Sequence, residues 1–349
     1  MFERLVDRRR PWSADRFLTT LGLAAVLGVG AYLRLRDLDL DWFIVDQARD
    51  IRVAMGIVQG RAFPLVGPEV QGGPAHTWGP LYFYLLAVPL AFSTSPLAAA
   101  TFLSLLNLAA VYLTYHFGAR FFGRGVGLMS AALFATSPLA VMSGRGLWNL
   151  APMPLFALAL LYCLFLVVID RRSVMIVPTM LILAGVVQLH FSGVAFLAVF
   201  VLALAVYRPS IRWGHLGLGT MGFVALLLPY LVTQAFDGWR DIRAMLTFSQ
   251  GALGAARPHD IWPSVRPAFF ASADLTQWLG QTFGGSRLGR IGWLLQRTEG
   301  YLLLVGAGYL IARALSAGTR RPSPSPADDS RLRGYGLLAL WIWAPVALL

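Results

Sequence analysis

The chain has 349 residues, 57% of them hydrophobic and only 13% charged, with a mean hydropathy of +0.64, which leaves too little polar surface to coat a soluble globule of that size. Its formal charge of +12 rests on arginine alone, lysine being absent, and the arginines stand in short clusters between apolar runs, the pattern of cytoplasmic loops and not of a nucleic-acid face. A single cysteine, Cys163, inside an apolar run excludes an internal disulfide, and no two histidines have the spacing of a structural zinc site.

From the N-terminus, a basic segment precedes an apolar run from Phe17 to Leu33 that ends in Arg34, Leu35, Arg36 without a small-residue cleavage site, so it reads as a retained span. Crossing roughly 30 Å of hydrocarbon takes about 20 apolar residues. Further spans are predicted at 97–117, 126–142, 150–169, twice within 173–207, and at 216–234, with weaker runs at 301–315 and 335–349. The 35 uncharged residues from Ser173 to Tyr207 are too long for one crossing, and their polar cluster, Gln188 to Gly193, is expected to form an outer hairpin turn. Leu81 to Phe92, about a dozen residues between prolines, suits an interfacial helix.

That choice fixes the topology. With 81–92 on the surface, Arg120 and Arg124, Arg171 and Arg172, Arg208 and Arg212, and the arginines from 313 to 333 share the cytoplasmic side with the N-terminus. With 81–92 crossing, eleven arginines would fall on the outside. The predicted fold class is therefore all-α: a polytopic transmembrane helical bundle in the cell membrane, by expectation a bacterial inner membrane, with interfacial helices in its first non-cytoplasmic loop. Its parts are a transmembrane core at 1–234 containing the outer loop 34–96, a long outer loop at 235–298, and further spans at 299–349. The last run stops on Leu348 and Leu349 without a polar anchor, so truncation is expected. Segment 316–334, with its alternating prolines and serines, reads as a cytoplasmic connector.

The first outer loop holds the densest acidic stretch, Asp37, Asp39, Asp41, Asp46 and Asp50. From Asp46 the pattern turns helical, with Ile51, Met55 and Val58 on one face until Gly60. Asp46 and Asp50 lie one turn apart, so the pair could hold a metal, bind a cation or perform base chemistry, with Arg49 offsetting their charge. The plain alternative is that Asp46 caps the helix and Asp50 is solvated. Next, His76 and Tyr82 flank a glycine- and proline-rich bend, His76 as a phosphate or hydroxyl contact or merely as a loop anchor. Further on, Arg145, Trp148 and Asn149 form an outer turn whose lone arginine could grip a phosphate with its planar fork or snorkel to ordinary headgroups. His190, at the outer hairpin turn, is placed at the same depth. In the long loop, Trp239, Trp262 and Trp278 could stack on sugars or anchor to lipid.

Five segments carry a resemblance: DWFIVDQARDIRVAMGIVQG, GPLYFYLLAVPL, HFGARFFGRGVGLMSAALFATSP, RGLWNLAPMPLFAL and QLHFSGVAFL. In order and spacing over roughly residues 17 to 210, they resemble the lipid-dependent glycosyltransferases of the GT-C fold, specifically the glycosyltransferase family 39 and protein-mannosyltransferase-like group. The resemblance implies transfer of a sugar from a polyprenyl-phosphate donor on the non-cytoplasmic face, with Asp46 as the base that deprotonates the acceptor hydroxyl. It implies no organic cofactor. Many relatives carry a second acid where Gln47 stands, a His-Pro-Pro-Leu sequence where this chain has His76, Thr77, Trp78, Gly79, Pro80, Leu81, and an Asp in place of Asn149. A divalent metal is accordingly not favoured. Two rival readings stay open: a transporter or lipid flippase, for which inverted repeats and mid-membrane ionisable residues are expected and neither is found in the assigned spans, and a non-catalytic lipid-sugar-binding subunit, motivated by Gln47 and Asn149.

Overall fold

The computed structural model describes residues 14–40, 43–69, 75–244 and 333–341, with isolated residues between the last two segments. Asp41, Trp42, Gly72 to Pro74, Trp262, Trp278 and most of the predicted runs at 301–315 and 335–349 lie outside the described residues.

Among the described residues the chain is all-helical, with one isolated bridge between Glu69 and His76. Over the described residues up to 236, ten α-helices follow in order: α1 (Ala14–Leu35), α2 (Val45–Val58), α3 (Leu81–Leu90), α4 (Pro96–Phe121), α5 (Arg124–Thr136), α6 (Pro138–Arg145), α7 (Met153–Val168), α8 (Ile176–Leu189), α9 (Gly193–Tyr207) and α10 (Trp213–Phe236). Within these, Asp15–Leu35, Pro96–Phe121 and Trp213–Phe236 are long and apolar enough to cross a membrane. Their outward side chains agree with a hydrocarbon solvent: Phe17, Leu18, Leu21, Leu218 and Met221 are all exposed, an apolar surface that water would disfavour. The shorter α7, α8 and α9 have 16, 14 and 15 residues, which at helical rise reach about 21 to 24 Å and need a thinned bilayer or flanking turns to complete a crossing.

The predicted span 126–142 is made of two helices, α5 and α6, bent by 63° at their junction, the geometry of a broken span or a re-entrant loop. The cause is local, because Ser137 adopts an extended conformation ahead of Pro138, a residue that has no N–H to continue the ladder. Thus the carbonyl of Phe134, four residues before the proline, lacks its ordinary intrahelical donor. Arg34, fully buried near the end of α1, supplies one: its guanidinium donates to Phe134 O at 3.1 Å and Ala135 O at 2.7 Å, and its Nε donates to Asn107 Oδ1 at 2.6 Å. The negative end of α5 stabilises the cation without a carboxylate.

Small residues let α4 and α5 cross closely. A Cβ on Gly118 would come within 2.6 Å of Gly127 Cα, so any larger residue would push the helices apart.

The remaining core divides into two clusters. One joins Phe117, Leu164, Phe165, Ile176, Leu183 and Leu337, with the Phe165 ring edge-on to Phe117 at 4.8 Å. The other joins Ile51, Ala54, Tyr82, Leu86, Leu103, Leu147, Ala151 and Leu189. Chain direction sets these toward opposite ends, since α7 starts just after the turn at Leu147–Ala151 and ends at Val168, and α8 returns to Leu189.

Arginine follows the same division. Arg120, near the end of α4, pairs with Asp170, and Arg171 and Arg172 line a common pocket with Arg212. Tyr207 donates to the Arg333 carbonyl at 3.2 Å. Among the described residues, Arg120, Arg171, Arg172, Arg212 and Arg333 therefore meet at one end of the bundle, away from α2 and α3. The hairpin turn also falls where predicted, between α8 and α9 at 190–192.

Candidate active site

Helix α2 begins at Val45, with Ile44 in the capping position and no side-chain cap donated from it. Asp46 is therefore not the capping residue, which was the plain alternative for it. The Ile44 N–H donates instead to Gln47 Oε1 at 3.1 Å, so the Gln47 side chain closes the helix start. Asp46 occupies the first turn, where the helix dipole favours a negative charge.

The buried stripe is rotated from the predicted one. Gln47, Asp50, Ile51 and Ala54 face inward, whereas Val58 is exposed. Two polar groups are admitted to this face because each has a partner, Gln47 with the backbone of Ile44 and Asp50 with Arg49. Arg49 lies between three acids: Nε is 3.0 Å from Asp50 and Nη1 is 3.3 Å from Asp46 and 3.1 Å from Glu69. One cation against three carboxylates leaves this end of α2 net negative.

Asp50 is 5% exposed, and burial pushes its carboxyl up to about 6 against the opposing pull of Arg49, with Asp46 and Glu69 adding to the rise. Folded Asp50 therefore binds more protons than unfolded Asp50 between about pH 4 and 6, so its contribution to stability is fully present below about pH 4 and is lost as pH rises through 6. Asp50→Asn keeps an acceptor for Arg49 and removes the ionisation. It is expected to raise the thermal midpoint at pH 7.5, by roughly 1 to 3 kcal/mol of stability, and to have little effect at pH 4, as scanning fluorimetry at the two values would register.

Beside it, Tyr82 is fully buried, and its hydroxyl has no hydrogen-bond partner among the described residues. Burial raises its pKa well above the ordinary tyrosine value, and the nearby Asp50 charge raises it further. As placed, Tyr82 supports the wall behind Asp50 and presents nothing at the surface.

The end of α6 and the turn after it carry three predicted site residues. Arg145 Nη1 donates to Leu33 O at 3.0 Å and Nη2 to Asp37 O at 2.9 Å, so its fork closes the end of α1. Arg34 and Arg145 thus act alike, Arg34 sealing carbonyls at the end of α5 and Arg145 those at the end of α1. Arg145 also lines a cavity of about 240 Å³ with Asp39, Phe43, Leu97 and Leu147, apolar except for these two charged side chains. Trp148 is 44% exposed and folds back, its indole nitrogen against Gly146. Asn149 Nδ2 donates to Leu189 O at 2.6 Å, which ties this turn to the residue before His190.

His190 accepts the Ser192 N–H at Nδ1, 3.2 Å away, a geometry that selects the neutral ring with its proton on Nε2. Burial lowers its pKa and keeps it neutral at pH 7.

His76 is placed differently. Its Nδ1 lies 3.4 Å from Asp241 Oδ2, and Asp241, almost wholly buried, also accepts from Gln234 Nε2 at 2.8 Å. Trp78 stacks on Tyr230 at 6.5 Å, and a Cβ on Gly79 would collide with Gln188. The loop before α3 is thereby bound to α10 and the segment after it. Sequence reasoning missed Asp241, Gln234 and Tyr230. A weak signal was present, since Gln234 stands near the end of an apolar run and Asp241 lies in the short charged stretch just beyond it.

Asp46, Arg49, Asp50 and Tyr82 thus form one group, Asn149 and His190 a second, and Arg145 with its cavity a third. Ile51 and Tyr82, Leu147 and Ala151, and Leu189 share one hydrophobic cluster that carries all three. His76 stands in a fourth group with Asp241. Comparison of the chain with models of known families, with curated proteins and with solved structures found no match.

Proposed function

We propose that the chain is a membrane glycosyltransferase of the GT-C type that moves a sugar from a polyprenyl-phosphate donor to a hydroxyl acceptor on the non-cytoplasmic face. The observation that carries this reading is the gathering of the first-loop acids with the turns bearing Arg145, Asn149 and His190 around one core, at the bundle end away from the arginine clusters. An acid-rich end beside an apolar cavity suits a reaction between a lipid-borne donor and a polar acceptor.

In the proposed reaction the acceptor oxygen attacks the anomeric carbon, the bond from that carbon to the phosphate oxygen breaks, and Asp46 takes the hydroxyl proton. The leaving polyprenyl phosphate keeps the bond electrons. Arg49 holds Asp46 in position, and the ionised Asp50 shares the guanidinium that would otherwise serve Asp46 alone. Arg145, at the mouth of the apolar cavity, is set to meet the donor phosphate while its fork holds α1. His190, neutral with its proton on Nε2, offers a hydrogen-bond donor and no fixed charge. His76 shapes the loop through Asp241.

The direct test incubates the purified chain in lipid nanodiscs with radiolabelled polyprenyl-phosphate hexoses and pentoses and a panel of glycan, peptide and lipid acceptors. Release of polyprenyl phosphate matched by label in an acceptor is expected. Donors recovered intact across the whole panel would count against the reading.

A further inference from the structure

The opposite end of the bundle holds a second concave site that the proposed reaction does not use. A pocket of about 540 Å³ opens between the turn after α7 and the turn before α10, lined by Arg171, Arg172, Ser173, Arg212 and His215. None of the residues lining it is acidic. Asp170, which stands next to it, is engaged by Arg120 and lies 3.8 Å from Arg172, so the positive charge of Arg171 and Arg212 is left without a carboxylate partner among the described residues.

The pocket is built, and it is more than a crowd of basic residues. Ser173 Oγ accepts the Arg212 N–H at 2.8 Å and lies 3.0 Å from His215 Nδ1, so one hydroxyl pins the two turns and sets the spacing of the arginines. Arg171 has φ 51, a left-handed conformation uncommon for a residue with a side chain, held where the chain reverses into the pocket. Trp213, beside Arg212, is 84% exposed at the start of a helix apolar enough to span a bilayer, the position of an interfacial tryptophan at headgroup level.

We propose that this pocket binds a phosphate group, with the phosphodiester headgroup of an anionic membrane lipid as the source favoured by its depth. Arg171 and Arg212 provide the charge, and Ser173 fixes the distance between their turns. The inference does not depend on the glycosyltransferase reading.

Native mass spectrometry of the full chain released from nanodiscs tests it, using phosphatidylcholine with and without phosphatidylglycerol. One retained phosphatidylglycerol per chain is expected. The exposed-residue variant Arg171→Gln/Arg212→Gln should lower that occupancy roughly 25-fold, at about fivefold for each arginine near a charged surface. A control, Arg124→Gln/Arg208→Gln, removes two arginines that do not line the pocket and should retain the lipid. Thermal midpoints in pure phosphatidylcholine establish that both variants are folded. If inorganic phosphate, and not the lipid, protects the wild type and fails to protect the pocket variant, the site is real and its source is soluble phosphate. Equal loss in the two variants, or no specific retention of either probe by the wild type, would overturn the proposal.

Discussion

Asp46→Asn is expected to lower sugar transfer by roughly 10²- to 10⁴-fold, the range lost when a positioned general base is removed. The substitution is nearly isosteric and keeps an oxygen that can accept from Arg49, so expression and thermal midpoint should change little. Donor affinity should also hold, because in the proposed reaction this carboxylate receives the acceptor proton and does not grip the phosphate. Turnover of labelled polyprenyl-phosphate sugar by the two purified proteins provides the comparison. Wild-type rates in the variant would remove Asp46 from the chemistry.

The second large effect is structural. Arg34→Met fills much of the same volume with an apolar side chain, yet it leaves Phe134 O, Ala135 O and Asn107 Oδ1 without their donor in a buried place. Proline at 138 ensures that Phe134 O cannot recover an ordinary helical partner. Removing one side of such a buried charged network costs about 3 to 5 kcal/mol. The variant should therefore show a markedly lower thermal midpoint in nanodiscs, with poor recovery from the membrane. Arg34→Lys should rescue only part of the loss, because one ammonium cannot span three acceptors as a planar guanidinium does. A midpoint unchanged in the methionine variant would show that the α5–α6 break is stabilised by something else.

The helices were the most legible part of this chain. Apolar length and arginine position located α1, α4 and α10 and the hairpin turn at 190–192, because a bilayer imposes the same requirement on every span. The grouping of Arg120, Arg172, Arg212 and Arg333 at one end follows from the same constraint. Ser137–Pro138 was a different case: the proline was visible in the sequence, but its partner Arg34 lies about a hundred residues away, and no local pattern reveals who will cap a broken helix.

The candidate site was legible in outline. Acid density drew attention to Asp46, Arg49 and Asp50, and the ion pairs among them follow from helical spacing. The inward rotation of α2 was not readable, since periodicity scored Met55 and Val58 as apolar and had no means to weigh a partnered Gln47 or Asp50. Arg145 illustrates a further limit. Its isolation suggested a ligand, and the structure adds two backbone carbonyls that use most of its fork. Asp241 was missed because its importance lies in contact with His76, 165 residues earlier.

The most direct examination of the account is its sidedness. In a Cys163→Ser background, single cysteines at Gln59, Trp148 and Phe191 mark the acidic end, and single cysteines at Arg171 and Ser210 mark the arginine end. Right-side-out membrane vesicles are then treated with a membrane-impermeant maleimide before and after permeabilisation. Labelling of the first three at once, and of the last two only after permeabilisation, is the expected result. If Gln59 and either Trp148 or Phe191 react from opposite sides of the membrane, the first-loop acids and the later turns cannot serve one acceptor.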